Sequence, residues 1–371
     1  MPLHRTPLFD WHSSHRGRMV EFGGWEMPVQ YSSIAEEHHT VRKAVGLFDI
    51  SHMGRLRFDG PDAQRLLDHL LTCRVDNLVD GQIRYGLVCN DAGQILDDVL
   101  VNRINPTSFG LVVNASNRLK IVDWINQRKA DLCKSGKSLD LSFRDETQDT
   151  GMIAIQGPRS LELVQKVLNM DVSAMRYYFG QFSTFDGASI FVSRTGYTGE
   201  DGFEVIVPAN LTVKLWETFI QAGESAELKP CGLGCRDTLR LEAAMPLYGH
   251  ELSECIDPLT AGLKSSVKLD KSEFVGRDAL LKIADREDRP VRVGIKLNSK
   301  RIAREHSEIF AADARIGEVT SGTFSPTLEQ SIAMAYVAKP HSAIGTSITV
   351  DIRGKREAAE IVPLPFYKRA K

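Results

Sequence analysis

The stretch RYGLVCNDAGQILDDVLVNRI, residues 84–104, decides between two classes of fold. Its apolar runs RYGLVCN and QILDDVLVNRI flank the turn NDAG, where Gly93 can take the left-handed conformation that closes a hairpin. Antiparallel strands joined by a tight turn and set among helical segments point to α+β layers. A doubly wound parallel sheet would need crossover connections instead. The same stretch raises a chemical question, because Asp97 and Asp98 stand side by side in a strand otherwise rich in Ile, Leu and Val. Alternation puts Ile95, Asp97, Val99 and Val101 on one face and Leu96, Asp98 and Leu100 on the other, so an acid accompanies whichever face is buried. An unpaired buried carboxylate is strongly disfavoured. Either both acids reach water at a sheet rim, or one is aimed into a cavity.

Helices flank this hairpin. In SSIAEEHHTVRKAVG (32–46), Ser33 stands three residues before Glu36 in a capping-box pattern, which predicts a helix over 34–45 that stops at Gly46. GPDAQRLLDHLLTC (60–73) carries Leu66, Leu67, Leu70 and Leu71 at helical spacing, and SNRLKIVDWINQRKADLCKSG (116–136) repeats the arrangement with Gly136 as its stop. Further on, helices are expected over PRSLELVQKVLN, LTVKLWETFIQAG and CRDTLRLEAAM, with strands at ASIFVSR and GFEVIVP. After about Glu287 short strands and turns take over, which predicts an all-β C-terminal unit.

Composition narrows the function. The 371 residues give room for two or three domains, and 42% hydrophobic with 25% charged content is ordinary for a globular protein. A net charge of −2 without a basic block argues against a nucleic-acid partner. The start MPLHRTPLFDWH lacks the apolar core of a signal peptide, and no apolar run reaches membrane-spanning length, so a cytoplasmic protein without a membrane partner is expected. Six scattered cysteines read as reduced thiols. Only Cys231 and Cys235 lie close, with no second pair to complete a zinc site. EEHH at 36–39 is not a metalloprotease motif and is read as a solvated helix face, so no metal is expected. Phosphate loops, a strand-linked G-x-G-x-x-G and a G-x-S-x-G elbow are all missing.

Six segments then share one explanation: FGGWEMPVQY, GLFDISHMG, ILDDVLV, RTGYTGEDGFEV, GCRDTLRLEAAMPLYGHEL and GEVTSGTFSPTLEQSIAMAYV. In this order they closely resemble the T-protein family of the glycine cleavage system, the aminomethyltransferases, over essentially the whole chain. The resemblance implies a three-domain ring around a tetrahydrofolate site, with a β-rich, barrel or jelly-roll-like end. Residues 1–52 and 146–254 would form a discontinuous folate-binding domain, 53–145 an inserted α+β domain, 255–286 a connecting segment and 287–371 the C-terminal domain. It also implies the reaction, transfer of an aminomethyl group from the lipoyl arm of H-protein to tetrahydrofolate with release of ammonia and formation of methylenetetrahydrofolate.

The family's catalytic aspartate falls on Asp98, and Asp97 is then structural or solvated. Glu204 takes the pterin, which suits a carboxylate because it can accept two parallel hydrogen bonds. Arg236, at the opening of its helix, binds the ligand rather than pairing with Asp237. Asn114, Tyr197, Met53 and Tyr85 complete the folate pocket, while Glu200 and Asp201 are expected to face solvent in their Gly-flanked turn. One departure is Ser265, in AGLKSSVKLDK, where the family often has an aromatic. The rival activities on this fold are a tetrahydrofolate-dependent demethylase and a non-enzymatic iron–sulfur-assembly factor. The latter's K-G-C-x-x-G-Q-E motif is missing from TGYTGEDGFE.

Overall fold

A computed structural model describes residues 2–134 and 138–369. It places four sheets in an α+β arrangement: a small three-stranded sheet, a six-stranded sheet, a five-stranded sheet and a closed six-stranded barrel. The barrel begins at Val291–Leu297 and ends at Arg356–Val362, where the change in sequence texture predicts an all-β end. Its interior is aliphatic, with Ile295, Val319, Ala335 and Val350 fully buried.

The hairpin of the opening stretch forms as read. Ile83–Cys89 pairs antiparallel with Ile95–Asn105, and Gly93 turns between them at φ +78°. Strict alternation along the second strand fails. Val88 pairs with Asp97 and Cys89 with Ile95, which leaves Leu96 as the extra residue of a bulge. A bulge rotates the chain by one residue, so Leu96 joins Val99 and Val101 in the core beneath the sheet while Ile95 packs on the other side with Leu252 and Phe274. Sequence periodicity carries no sign of such an insertion.

Two sheets create the site. Helices Ser160–Leu168 and Thr212–Ala222 cover one face of the six-stranded sheet, where Phe203, Val205 and Val207 meet Leu215, Trp216 and Phe219. Helices Ala63–Leu70 and Arg118–Cys133 cover one face of the five-stranded sheet. The remaining faces look at each other, with Leu100 and Val112 on one side and Thr195, Glu204 and Ile206 on the other. Strands Gly46–Asp49 and Gly54–Asp59 belong to different sheets, so residues 50–53 cross between them and carry His52 and Met53 to the gap.

Helix Ile34–Lys43 begins as predicted, with the Ser33 side chain accepting the Glu36 N–H. Ser33→Ala is expected to lower unfolding free energy by about 1 kcal/mol in a denaturant titration. An unchanged midpoint would mean the cap is dispensable. The predicted stop at Gly136 lies outside the described residues.

Two charge assignments are corrected. Glu37 and His38 of EEHH are fully buried rather than solvated. The Glu37 carboxylate accepts the backbone N–H groups of Tyr31, Ser32 and Gly232, and His38 bridges the Thr238 and Thr327 hydroxyls. Glu200 is likewise buried, paired with Arg42 at 2.9 Å, and Asp201 is half-buried against Arg194. Arg42 also binds Glu242 at 2.8 Å, and Glu242 accepts from Ser325 of the barrel, so one buried network ties helix, turn and barrel together. The partners of His38, Glu200 and Glu242 lie more than 150 residues away, apart from the Ser325 and Thr327 contacts of Glu242, so no local pattern could reveal them.

Candidate active site

A cavity of about 560 Å³ lies where the two sheets, the turn between the antiparallel strands Arg18–Phe22 and Trp25–Gln30, and the barrel meet. Asp98, Met53, Tyr85, Asn114, Tyr197, Glu204 and Arg236 all line it, so the structure brings together every residue singled out for the site. Asp97 does not line it. Asp97 keeps to the face of Val99 and Val101, on the helix side, where it is fully buried and accepts from the Asn114 backbone, the Asn114 amide and, at 2.6 Å, the Asn117 amide.

Asp98 points the other way. Its Oδ2 accepts from the Tyr85 hydroxyl at 3.1 Å and its Oδ1 from Asn114 Nδ2 at 2.8 Å. The same Nδ2 reaches Asp97 Oδ1 at 2.8 Å. Both amide hydrogens of Asn114 are thus committed to the two aspartates, and only its carbonyl oxygen is free for a ligand. Burial raises both carboxyls above the ordinary range, and the Asp98 charge adds to the rise at Asp97. The Tyr85 and Asn114 hydrogen bonds oppose the rise at Asp98.

Asn114→Ala therefore removes donors that favour the ionised acids. The acid limb of the pH–rate profile is expected to move to higher pH, with kcat at neutral pH falling about tenfold. A limb that stays in place would show that Asn114 does not hold the pair.

Glu204 reaches the cavity by period-two geometry, since its neighbours Phe203 and Val205 enter the core. Small residues flank it across the sheet, Ala154 on one strand and Ser193 on the other, leaving space above its side chain. Its Oε2 accepts from the Thr195 hydroxyl at 2.6 Å. Burial raises its carboxyl, while Thr195 and the Arg236 charge pull it down. Arg236 lies in the first turns of helix Leu233–Glu242 rather than at its opening. Asp237 is bonded to Arg240 at 2.8 Å and leaves Arg236 unpaired, with its Nη1 buried and without a partner. The guanidinium lies 4.8 Å from the centre of the Tyr197 ring, whose hydroxyl donates to the Pro246 carbonyl.

Residues that sequence reasoning missed also face this space. His52 precedes Met53, makes no hydrogen bond through its buried Nδ1, and is pushed down to about 3 by burial and the Arg236 charge, so its ring is neutral. Arg292 comes from the first barrel strand, and its Nη1 is buried without a partner. Adjacency to the SHMG segment could have flagged His52, whereas Arg292 sits in an ordinary alternating strand. Away from the cavity, Glu37, Cys231 and Cys235 each bring a ligand-type atom within 4.8 Å of the others. The backbone bonds to Glu37 described above make it a fastener of that corner.

The chain is similar to known proteins over its whole length. Residues 8–271 match the family description "GCVT N-terminal domain", and residues 291–368 match "Glycine cleavage T-protein C-terminal barrel domain". The chain is 45% identical to the aminomethyltransferase of Geobacillus thermodenitrificans, covering 100% of both chains. It is 44% identical to that of Symbiobacterium thermophilum, covering 99% of this chain and 98% of the relative. The crystal structure of glycine cleavage system aminomethyltransferase T from Bartonella henselae superposes with a TM-score of 0.90 at 31% identity, covering 99% of this chain and 98% of that one. Family matches over residues 8–271 and 291–368 and relatives covered along their whole length place the chain in the glycine cleavage T-protein family of aminomethyltransferases.

Proposed function

We propose that this aminomethyltransferase works in the central cavity, with the lipoyl arm of H-protein as donor and tetrahydrofolate as acceptor. Ammonia leaves and methylenetetrahydrofolate forms. The observation that carries this reading is the set of unfilled polar groups around one cavity: Arg236 Nη1 and Arg292 Nη1 lack partners, and Glu204 has spare acceptor capacity beside its Thr195 bond. Such a set fits a ligand that carries ring N–H donors, a polar edge and carboxylates, as a reduced folate does. Tetrahydrofolate supplies the attacking nitrogen when bound.

The chain's own residues supply position and field. Glu204 accepts hydrogen bonds from the pterin edge, and Arg236, held over Tyr197, presents donors to the ligand. Met53, Leu100 and Val112 form apolar walls that keep water from the reacting carbon. Asp98 places a carboxylate where positive charge develops as the amine departs, and Tyr85 and Asn114 fix its two oxygens beforehand. A division into domains at 1–52 with 146–254, 53–145, 255–286 and 287–371 goes with this reading, with the folate held where they converge. The cytoplasm is the proposed setting, whose reducing conditions suit six unbonded cysteines.

The test is an assay of ammonia and methylenetetrahydrofolate formation from aminomethyl-loaded H-protein and tetrahydrofolate. Stoichiometric release of both products is expected. Folate binding without ammonia release would move the reading to a demethylase with another donor.

A further inference from the structure

The five-stranded sheet is one continuous stretch of chain, residues 54–145, so the chain crosses to it from the six-stranded sheet at 50–53 and returns at 146–149. One side chain holds both crossings. Arg55 is buried in the strand that follows the outward crossing, and its Nη1 donates to the Ser51 carbonyl at 3.1 Å and the Met53 carbonyl at 2.5 Å. Its Nη2 donates to the Thr147 carbonyl at 2.5 Å and the Thr150 carbonyl at 2.9 Å, and its Nε to the Thr150 hydroxyl at 2.7 Å. Every N–H of the guanidinium is therefore committed, half to the outward crossing and the rest to the return. The backbone adds to this, since the Arg55 N–H donates to the Thr147 hydroxyl at 3.0 Å and the Arg55 carbonyl accepts the Glu146 N–H at 2.8 Å. No acid pairs with Arg55 among the described residues. Asp49 and Asp145, whose charges act on it, are bonded to His12 at 2.9 Å and Arg118 at 2.8 Å. Burial pushes the guanidinium down to about 10, so it is still charged at neutral pH. A buried cation without a counter-ion costs stability. What it supplies in return is a rigid planar fork that reaches two segments at once.

The site divides along the same line. Glu204 lies on the six-stranded sheet, and the helix that carries Arg236 packs on that sheet through Leu239. Asp98 and Tyr85 lie on the five-stranded sheet, and Asn114 follows its strand Ser108–Val113. We infer that Arg55 is a positioning residue: by clamping both crossings it fixes the two sheets against each other, so that a folate anchored on one meets the Asp98 carboxylate of the other. The inference rests on the folate reading above. Arg55 borders the gap between the sheets and does not line the central cavity, so it acts through the residues it holds, Met53 among them. Affinity comes from one sheet and rate from the relation of the two, so loosening the clamp lowers kcat and spares folate binding.

The test separates these two quantities in the full-length protein. In Arg55→Ala, kcat at saturating tetrahydrofolate and aminomethyl-loaded H-protein is expected to fall about thirtyfold, since a misplacement of about 1 Å can cost a factor on the order of 100. The Kd for tetrahydrofolate, read by calorimetry without turnover, is expected to stay within about twofold. Arg55→Lys, with a compact ammonium in place of the fork, is expected to lose about tenfold in kcat at the same Kd. Geometry is read by spin labels at Leu119→Cys and Glu217→Cys, exposed positions on the helices that cover the two sheets, in a Cys133→Ser/Cys255→Ser background. Their distance distribution by double electron–electron resonance is expected to broaden in Arg55→Ala. A folded Arg55→Ala with kcat within about threefold of wild type overturns the inference. So does a fall in kcat matched by an equal loss of folate affinity, or one with an unchanged label distribution, either of which would make Arg55 a core residue and nothing more. Should Arg55→Ala fail to fold, Arg55→Lys decides by the same split, and a wild-type kcat or a joint loss of kcat and affinity overturns the inference. Failure of the wild type to bind tetrahydrofolate sinks the folate reading itself, a result distinct from binding that is retained while kcat ignores Arg55.

Discussion

Asp98→Asn lowers kcat by about three orders of magnitude, with the Kd for tetrahydrofolate changed less than about threefold. The substitution keeps the shape of the side chain: its amide oxygen can accept from Asn114 Nδ2 while its NH₂ donates to the Tyr85 hydroxyl oxygen, so the cavity walls stay in place. What disappears is a full negative charge in a site bounded by apolar walls, where a preoriented charge stabilises a developing cation far more than it could in water. The pH dependence separates charge from proton transfer. Burial holds the Asp98 carboxyl above the ordinary carboxylate range, so wild-type activity is present above that raised value and lost as pH falls through it. If Asp98 supplies the limb, the Asn variant's residual rate is flat across that window.

The stability effect has the opposite sign. The native state binds more protons here than the unfolded chain between the ordinary and the raised values, so this acid's contribution to stability is lost as pH rises. Asp98→Asn should therefore melt at the same or a higher temperature than wild type at pH 8. A kcat within tenfold of wild type would remove Asp98 from the chemistry, and a fall in melting temperature would show that its charge is structurally satisfied.

The sequence yielded a great deal where the physics is local. Turn chemistry at Gly93, the Ser33 cap, the aliphatic helix faces and the strand texture after Glu287 all depend on neighbours within a few residues. The resemblance chose Asp98 over Asp97, which alternation alone could not do; alternation correctly separates the two acids and slips only at Ile95 and Leu96, where the bulge inserts a residue. Reading failed where a charge finds its partner far along the chain. Glu200 and His38 looked like surface residues because Arg42 and Thr327 are remote in sequence, and Arg292 is a cavity residue only because the barrel packs against helix Leu233–Glu242. Asn114 shows an intermediate case. Its position was legible, but its two hydrogens are spent on the aspartates, which makes it a holder of the acid pair more than a contact for the ligand.

Glu204→Ala weakens tetrahydrofolate binding by about two orders of magnitude, while kcat at saturating folate stays within about threefold. Charge-assisted hydrogen bonds contribute about 1.5–3 kcal/mol each, and removing the acceptor also leaves the ligand's buried donors without partners. Glu204→Gln is the sharper variant. It preserves volume and the Thr195 contact, yet it turns an N–H₂ toward donors that need an acceptor, so it should bind folate no better than the Ala variant. The pH dependence of affinity follows from the same environment. Burial raises the Glu204 carboxyl and the Arg236 charge only partly offsets this, so binding is present above the raised value and declines as the carboxylate protonates. In the Gln variant that decline should be missing. Calorimetric titration across pH 5 to 8 with wild type and both variants would read all of this. A Gln variant that binds within threefold of wild type would mean that the Glu204 charge does not recognise the ligand, and that Arg236 with the apolar walls carries the affinity instead.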